Sequence, residues 1–185
     1  VQKSTIMKRI ALSKLQDWKN SLGRKPLIIR GARQTGKTWL MKEFGKTSFN
    51  ETIYINFENE PTLKNLFTQD YDIQRILSTI QLYHGKKITP DDTLIIFDEI
   101  QAVERGITSL KYFNENAPQY AIIAAGSLLG ISLHENQSFP VGKVSFLDLY
   151  PLSFSEFLIA SGKEMLCDML QQNQWAILEP FHNEL

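Results

Sequence analysis

The stretch "PLIIRGARQTGKTWLM", residues 26 to 41, leaves this chain few ways to fold. An apolar run ends at Gly31, and Gly36, Lys37 and Thr38 complete the pattern G-x-x-x-x-G-K-[ST] before a helix-forming segment. Glycines let a backbone curl until its N–H groups point inward around phosphate oxygens. A helix opening at that point adds the positive end of its dipole. Gly31, Ala32, Arg33, Gln34, Thr35, Gly36, Lys37 and Thr38, with Trp39 just behind, are therefore expected to hold a nucleotide. Lys37 would reach the β- and γ-phosphates, and the Thr38 hydroxyl would ligate Mg²⁺. A glycine turn with an incidental lysine would not explain the strand before it and the helix after it.

The rest of the chain alternates in the same way. Strands are expected at 26–30, 52–58, 93–99, 120–126 and 144–150, several of them almost wholly apolar. Helical segments are expected after the glycine turn, over 62–84 in one or two pieces, and over 104–116. Met7, Ala11, Leu15, Trp18 and Leu22 recur at helical spacing, which predicts an amphipathic helix over 5–22. Ser153 and Glu156 have capping-box spacing ahead of Phe157. Alternating strands and helices imply one α/β domain, a parallel sheet covered on both faces. We expect an amino-terminal helix over 1–24, a core over 25–150 and a helical extension over 151–185.

The third strand, "TLIIFDE", ends in two acids. Ligands of open parallel sheets sit at the carboxyl ends of the strands. There Asp98 is placed to hold the hydration shell of Mg²⁺ and Glu99 to orient, or take a proton from, an attacking water. The plainer alternative makes one of them a helix cap. Ser127, after the fourth strand, is placed to position that water or to cap the next helix. No N-K-x-D guanine motif occurs. A small-molecule kinase stays open, but nothing marks an arginine-rich lid, and the Asp-Glu ending favours hydrolysis of ATP to ADP by water.

Composition sets the outer limits. Residues 1–48 hold 12 Lys/Arg against 2 Asp/Glu, and the remainder holds 8 against 18. Such a basic segment attracts phosphates, nucleic acid or the chain's own acidic remainder. The last is expected here, with nucleic acid kept as an alternative. The longest nearly apolar run, 120–131, is too short to span a bilayer. A single cysteine, Cys167, excludes an internal disulfide and points to a reducing cytoplasm. The chain opens on Val1 and closes on "EPFHNEL" without a helix stop, so a fragment of something longer is expected.

"GARQTGKT", "TLIIFDEIQ", "AAGSLLGI" and "FPVGKVSFLDLYPLSFSEFL" together resemble the bacterial and archaeal AAA-like P-loop ATPases whose core is usually followed by a carboxyl-terminal domain of unknown function. The resemblance covers about residues 5–165. It implies a three-layer core with a parallel five-stranded sheet of order 5-1-4-3-2. It also implies Gly36, Lys37 and Thr38 as Walker A, Asp98 and Glu99 as Walker B, and Ser127 as a sensor-like residue. Gln101 matches the glutamine of "DEIQ", for which the residues themselves suggest only packing or a supporting hydrogen bond. Many relatives carry arginine where this chain has Lys143, just before the fifth strand, where such ATPases commonly present a finger to a neighbouring subunit. The leading expectation is ATP turnover coupled to a conformational change in an unidentified partner or carboxyl-terminal domain, with a homo-oligomer of the full-length protein left open. Two alternatives stand beside it: a nucleotide-gated binding module with little turnover, and a nucleic-acid-associated ATPase subunit.

Overall fold

In the computed structural model, residues 9–126, 140 and 142–173 are described. Five strands form one parallel sheet: β1 (Leu27–Arg30), β2 (Glu51–Asn56), β3 (Thr93–Asp98), β4 (Ala121–Ala125) and β5 (Ser145–Asp148). Their order is β2-β3-β4-β1-β5, the arrangement the resemblance implied, counted from the other edge. Every residue of β3 and β4 is buried, so both faces of the sheet need covering.

Alternation along the strands sorts the core into two layers. Ile28, Ile53, Ile55, Ile95, Phe97, Ile122 and Ala124 point one way, toward α3 (Ile73–His84) and α4 (Gly106–Asn116). Leu27, Ile29, Leu94, Ile96, Ile123 and Ala125 point the other way, toward α1 (Ile10–Asn20) and α2 (Lys37–Ser48). Parallel neighbours require a crossover connection, and each crossover returns the chain to the same end of the sheet. All five strands therefore deliver their carboxyl ends to one rim.

Several local expectations need correcting. Leu22 is fully exposed: α1 stops at Asn20, and the turn at Gly23 (φ 69°) carries Leu22 off the apolar face. Met7 lies outside the described residues. Between 61 and 72 there is only a 3₁₀ turn (Pro61–Leu63) and further turns, because Asp70 and Asp72 accept the backbone N–H groups of Asp72 and of Gln74. Those acceptors start α3 afresh at Ile73. Strand β2 ends at Asn56, whose side chain accepts the N–H of Glu58 and turns the chain. Helix α4 begins two residues late, after Arg105 in the left-handed region (φ 63°).

Several described cations of the basic amino-terminal segment are spent on the chain itself. Lys19 donates to the Ser48 carbonyl and sits over the Phe49 ring, Arg24 donates to the Gln119 carbonyl and Lys25 to that of Gly142. Arg9 is buried and bonds the carbonyls of Thr35 in the glycine loop (3.3 Å) and Tyr150 (2.7 Å). Its Nε lies 3.2 Å from Glu156 Oε1, an ion pair without hydrogen-bond alignment.

Glu156 completes the capping box at the start of α5 (Phe154–Ala160), which α6 (Glu164–Gln171) follows. Its Oε2 accepts the Ser153 N–H, and its Oε1 accepts that of Ile10. Burial pushes the Glu156 carboxyl up, but the Ser153 and Ile10 N–H groups, the Arg9 charge and the Ser153 hydroxyl outweigh it and leave the group below the usual glutamate value. A depressed pKa contributes stability above the unfolded value, about 4.3, and that stability is lost as pH falls through the folded value. Urea unfolding followed by circular dichroism should show this acid loss weakened in Glu156→Gln. At neutral pH the variant should be about 3 kcal/mol less stable, because Arg9 is left buried and unpaired. Parallel stability–pH curves for the two proteins would remove Glu156 from the acid response.

Candidate nucleotide site

The rim of carboxyl ends carries the chemistry. Strand β1 ends at Arg30, residues 31–36 curl over the sheet, and α2 starts at Lys37. Gly31 cannot carry a side chain, since a Cβ there would collide with the Leu149 carbonyl behind β5. Gly36 has φ 88°, a left-handed conformation that glycine adopts without strain. As the residue preceding α2 it brings no side-chain cap, so the first-turn N–H groups of the helix keep their capacity for an external acceptor. Ala32, Arg33 and Gln34 form the exposed crest of the loop, with Gln34 also left-handed (φ 64°). Thr35 is buried and ties the loop inward through its hydroxyl to the Ala32 carbonyl (3.0 Å).

Lys37 lies inside this curl, only 7% exposed. Its ammonium donates to the carbonyls of Gly31 (2.8 Å) and Ala32 (2.7 Å). Burial pushes its pKa down, while the negative charges of Glu99 and then Asp98 pull it back up. Those two acids are thus near enough to count electrostatically, although they stand 61 and 62 residues later in the chain. Trp39, on the outer side of the same helix turn, is partly buried against the α1–α2 layer of the core.

Asp98 is 2% exposed, and its partners are well defined. Its Oδ2 accepts the Thr38 hydroxyl at 2.7 Å and the Tyr54 hydroxyl at 2.8 Å, and its Oδ1 accepts the Glu99 N–H at 3.1 Å. The Tyr54 phenol is pushed up to about 12, first by burial and then by the hydrogen bond and charge of Asp98. Tyr54 therefore stays a protonated donor through the physiological range.

Glu99 follows in the left-handed region (φ 50°, ψ 45°), an unfavourable conformation for a glutamate. A 3₁₀ turn (Ile100–Ala102) comes next and brings Gln101 back, so that its amide donates to Glu99 Oε2. The supporting hydrogen bond anticipated for Gln101 is thus present, and its partner is Glu99.

A triphosphate and Mg²⁺ fit these groups. The buried ammonium, the uncapped helix start and the curled loop suit phosphates. A hydroxyl and a carboxylate that already meet suit Mg²⁺, which takes hard oxygen ligands, keeps several waters and needs only one or two protein groups. No cluster of three or more His, Cys, Asp or Glu side chains able to cage a metal occurs among the described residues.

Of the remaining expected site residues, Ser127 lies outside the described residues, and Lys143 is not brought to this rim. Lys143 sits at the amino end of β5, the opposite end of the sheet, where its ammonium pairs with Glu115 Oε1 of α4 (2.9 Å). Sequence reasoning missed Tyr54 and Arg9. The period-2 burial of β2 does place Tyr54 on the Asp98 side, but its partner emerges only from the pairing Asn56↔Asp98.

The sequence pattern of the AAA domain family matches residues 23–158. Among solved structures, the chain resembles a Walker-type ATPase of Pyrococcus abyssi at 17% identity and a TM-score of 0.53, over 85% of this chain and 57% of that one. The ORC1 protein of Aeropyrum pernix, solved in complex with DNA, gives 12%, 0.49, 83% and 46% on the same measures. For PCH-2 of C. elegans the values are 12%, 0.43, 90% and 45%. The chain thus spans little more than half of the Pyrococcus ATPase. No curated protein matched the sequence. With the sheet order, the phosphate-type loop and a match over most of its length, the chain belongs to the AAA domain family of P-loop ATPases.

Proposed function

We propose that this chain binds ATP with Mg²⁺ and hydrolyses it to ADP and phosphate. The observation carrying the reading is the 2.7 Å hydrogen bond from Thr38 to Asp98, which joins the phosphate loop to the acidic end of β3. Lys37 and the N–H groups of residues 31–38 hold the β- and γ-phosphates and meet the charge that grows on them during transfer. Thr38 and Asp98 hold Mg²⁺, which neutralises charge on the phosphate oxygens when bound. Glu99 orients the attacking water and takes its proton. Ser127 is proposed beside that water, and Trp39 as the residue that fixes the helix turn behind Thr38. Residues 25–150 are the ATPase core in this reading, residues 1–24 an amino-terminal helical piece and residues 151–185 a helical extension. The cytoplasm is the proposed compartment, where the buried free thiol of Cys167 stays reduced. No described helix is long and apolar enough to cross a membrane.

A second reading is favoured by one observation. The Gln101 amide occupies Glu99 Oε2, so the acid that would act as base is held by its own neighbour. That suits a nucleotide-gated binding module, in which turnover is slow and ATP occupancy sets the conformation of a partner.

Two substitutions separate binding from chemistry. ATP with Mg²⁺ at about a hundred times Kd should stabilise the wild type by about 2.7 kcal/mol, read as a rise in Tm. Lys37→Ala should lose most of that rise, and a full rise in the variant would move the phosphate site elsewhere. Glu99→Gln should keep the rise while steady-state phosphate release falls roughly a hundredfold or more. Equal release from the two proteins would favour the binding module.

Lys143 is proposed to act only across subunits, because its place at the amino end of β5 keeps it from its own phosphate loop. Its bond to Glu115, which holds that carboxyl below the usual range, would have to open first. Specific activity should then climb with protein concentration in the wild type and stay flat in Lys143→Ala. A climb that survives the substitution would leave Lys143 as a surface ion pair.

A further inference from the structure

Asp98 has more support than a metal-binding carboxylate needs from the phosphate loop alone. A carboxylate accepts at about four lone-pair positions on its two oxygens. Here Oδ2 takes two donors, Thr38 and Tyr54, and Oδ1 takes the Glu99 N–H, which leaves the open capacity on Oδ1. The Thr38 hydroxyl can donate to Asp98 and still offer lone pairs to a metal, so the two roles do not compete. Tyr54 is different, since it reaches Asp98 from the neighbouring strand β2 rather than from the loop.

The phenol is itself held in place. Its ring lies under the Lys42 ammonium, 3.7 Å from the centroid. Lys42 stands four residues after Thr38 and so shares its face of α2. The ring also packs on the α1–α2 layer. Three elements, α2, β2 and β3, therefore meet at one carboxylate.

We propose that Tyr54 is a positioning residue for the metal site, its hydroxyl saturating Asp98 Oδ2 so that the carboxylate presents Oδ1 to Mg²⁺ and its waters. This rests on the reading of the site as an Mg²⁺-dependent ATPase. Partners that orient metal ligands through a hydrogen bond matter to affinity, typically by a factor of ten or more. A packing role alone would be fulfilled equally well by phenylalanine.

Tyr54→Phe keeps the ring and removes only the donor. With saturating ATP, the Mg²⁺ concentration giving half of the ATP-induced rise in Tm should increase roughly tenfold. The Tm of the nucleotide-free protein should fall, because buried Asp98 loses one donor, while ATP affinity in EDTA, measured by calorimetry, should be unchanged. An unchanged Mg²⁺ midpoint overturns the proposal, as does an equal loss of affinity with and without Mg²⁺, which would mark a packing defect. The wild type is the internal control: Mg²⁺-dependent stabilisation by ATP that disappears in Lys37→Ala keeps the ATPase site standing whatever Tyr54→Phe does. A wild type with no such stabilisation removes both the site and the role of Tyr54.

Discussion

Burial of both faces of a parallel sheet is the constraint from which the other features follow. Every residue of strands β3 and β4 is buried, and only helices crossing over both faces can shield them. Crossovers bring each strand back in the same direction, so every loop that follows a strand emerges at one rim. With β4 between β1 and β3, Gly31–Lys37 and Asp98 come to that rim side by side. The same geometry puts Lys143, which precedes a strand, at the far end. Lys143 is thereby separated from the candidate site by the length of the sheet.

Two opposite charges are buried at the rim, and neither is left without partners. Lys37 is satisfied by two loop carbonyls and Asp98 by three donors drawn from α2, β2 and the chain after β3. Burying a charge is costly unless it is paired and hydrogen-bonded, so these contacts are conditions for the fold as well as parts of the site. They also pre-arrange it. The hydroxyl and carboxylate suited to Mg²⁺ stand in contact, and the unfavourable backbone at Glu99 is held by the 3₁₀ turn and Gln101 behind it.

Arg9 performs a related service at the outer side of the loop. One guanidinium joins the Thr35 carbonyl, the Tyr150 carbonyl and the Glu156 carboxylate, and Glu156 also caps α5. The phosphate loop, the segment after β5 and the first helix are thus tied to one another by a pair of buried charges. Among the described residues, Arg9, Lys19, Arg24, Lys25, Arg30 and Lys37 answer carbonyls or carboxylates of the same chain.

Local chemistry made much of this protein legible before any coordinate. Glycine and lysine at fixed spacing behind an apolar run can serve little but phosphate, five apolar stretches separated by helical ones require a covered parallel sheet, and the Ser153–Glu156 spacing writes its own cap. Boundaries were less legible where side chains compete with the backbone for its donors, as Asp70, Asp72 and Asn56 do. What only the tertiary structure decided is which distant groups share an atom. That Tyr54 and Thr38 both donate to one oxygen of Asp98 depends on β2 lying beside β3 and α2 lying over both, and that Arg9 meets Glu156 depends on α1 closing over the end of β5. Spacing along a chain carries periodicity, but contacts across 44 residues (Tyr54–Asp98) or 147 (Arg9–Glu156) are set by strand order and helix packing, which no local pattern encodes.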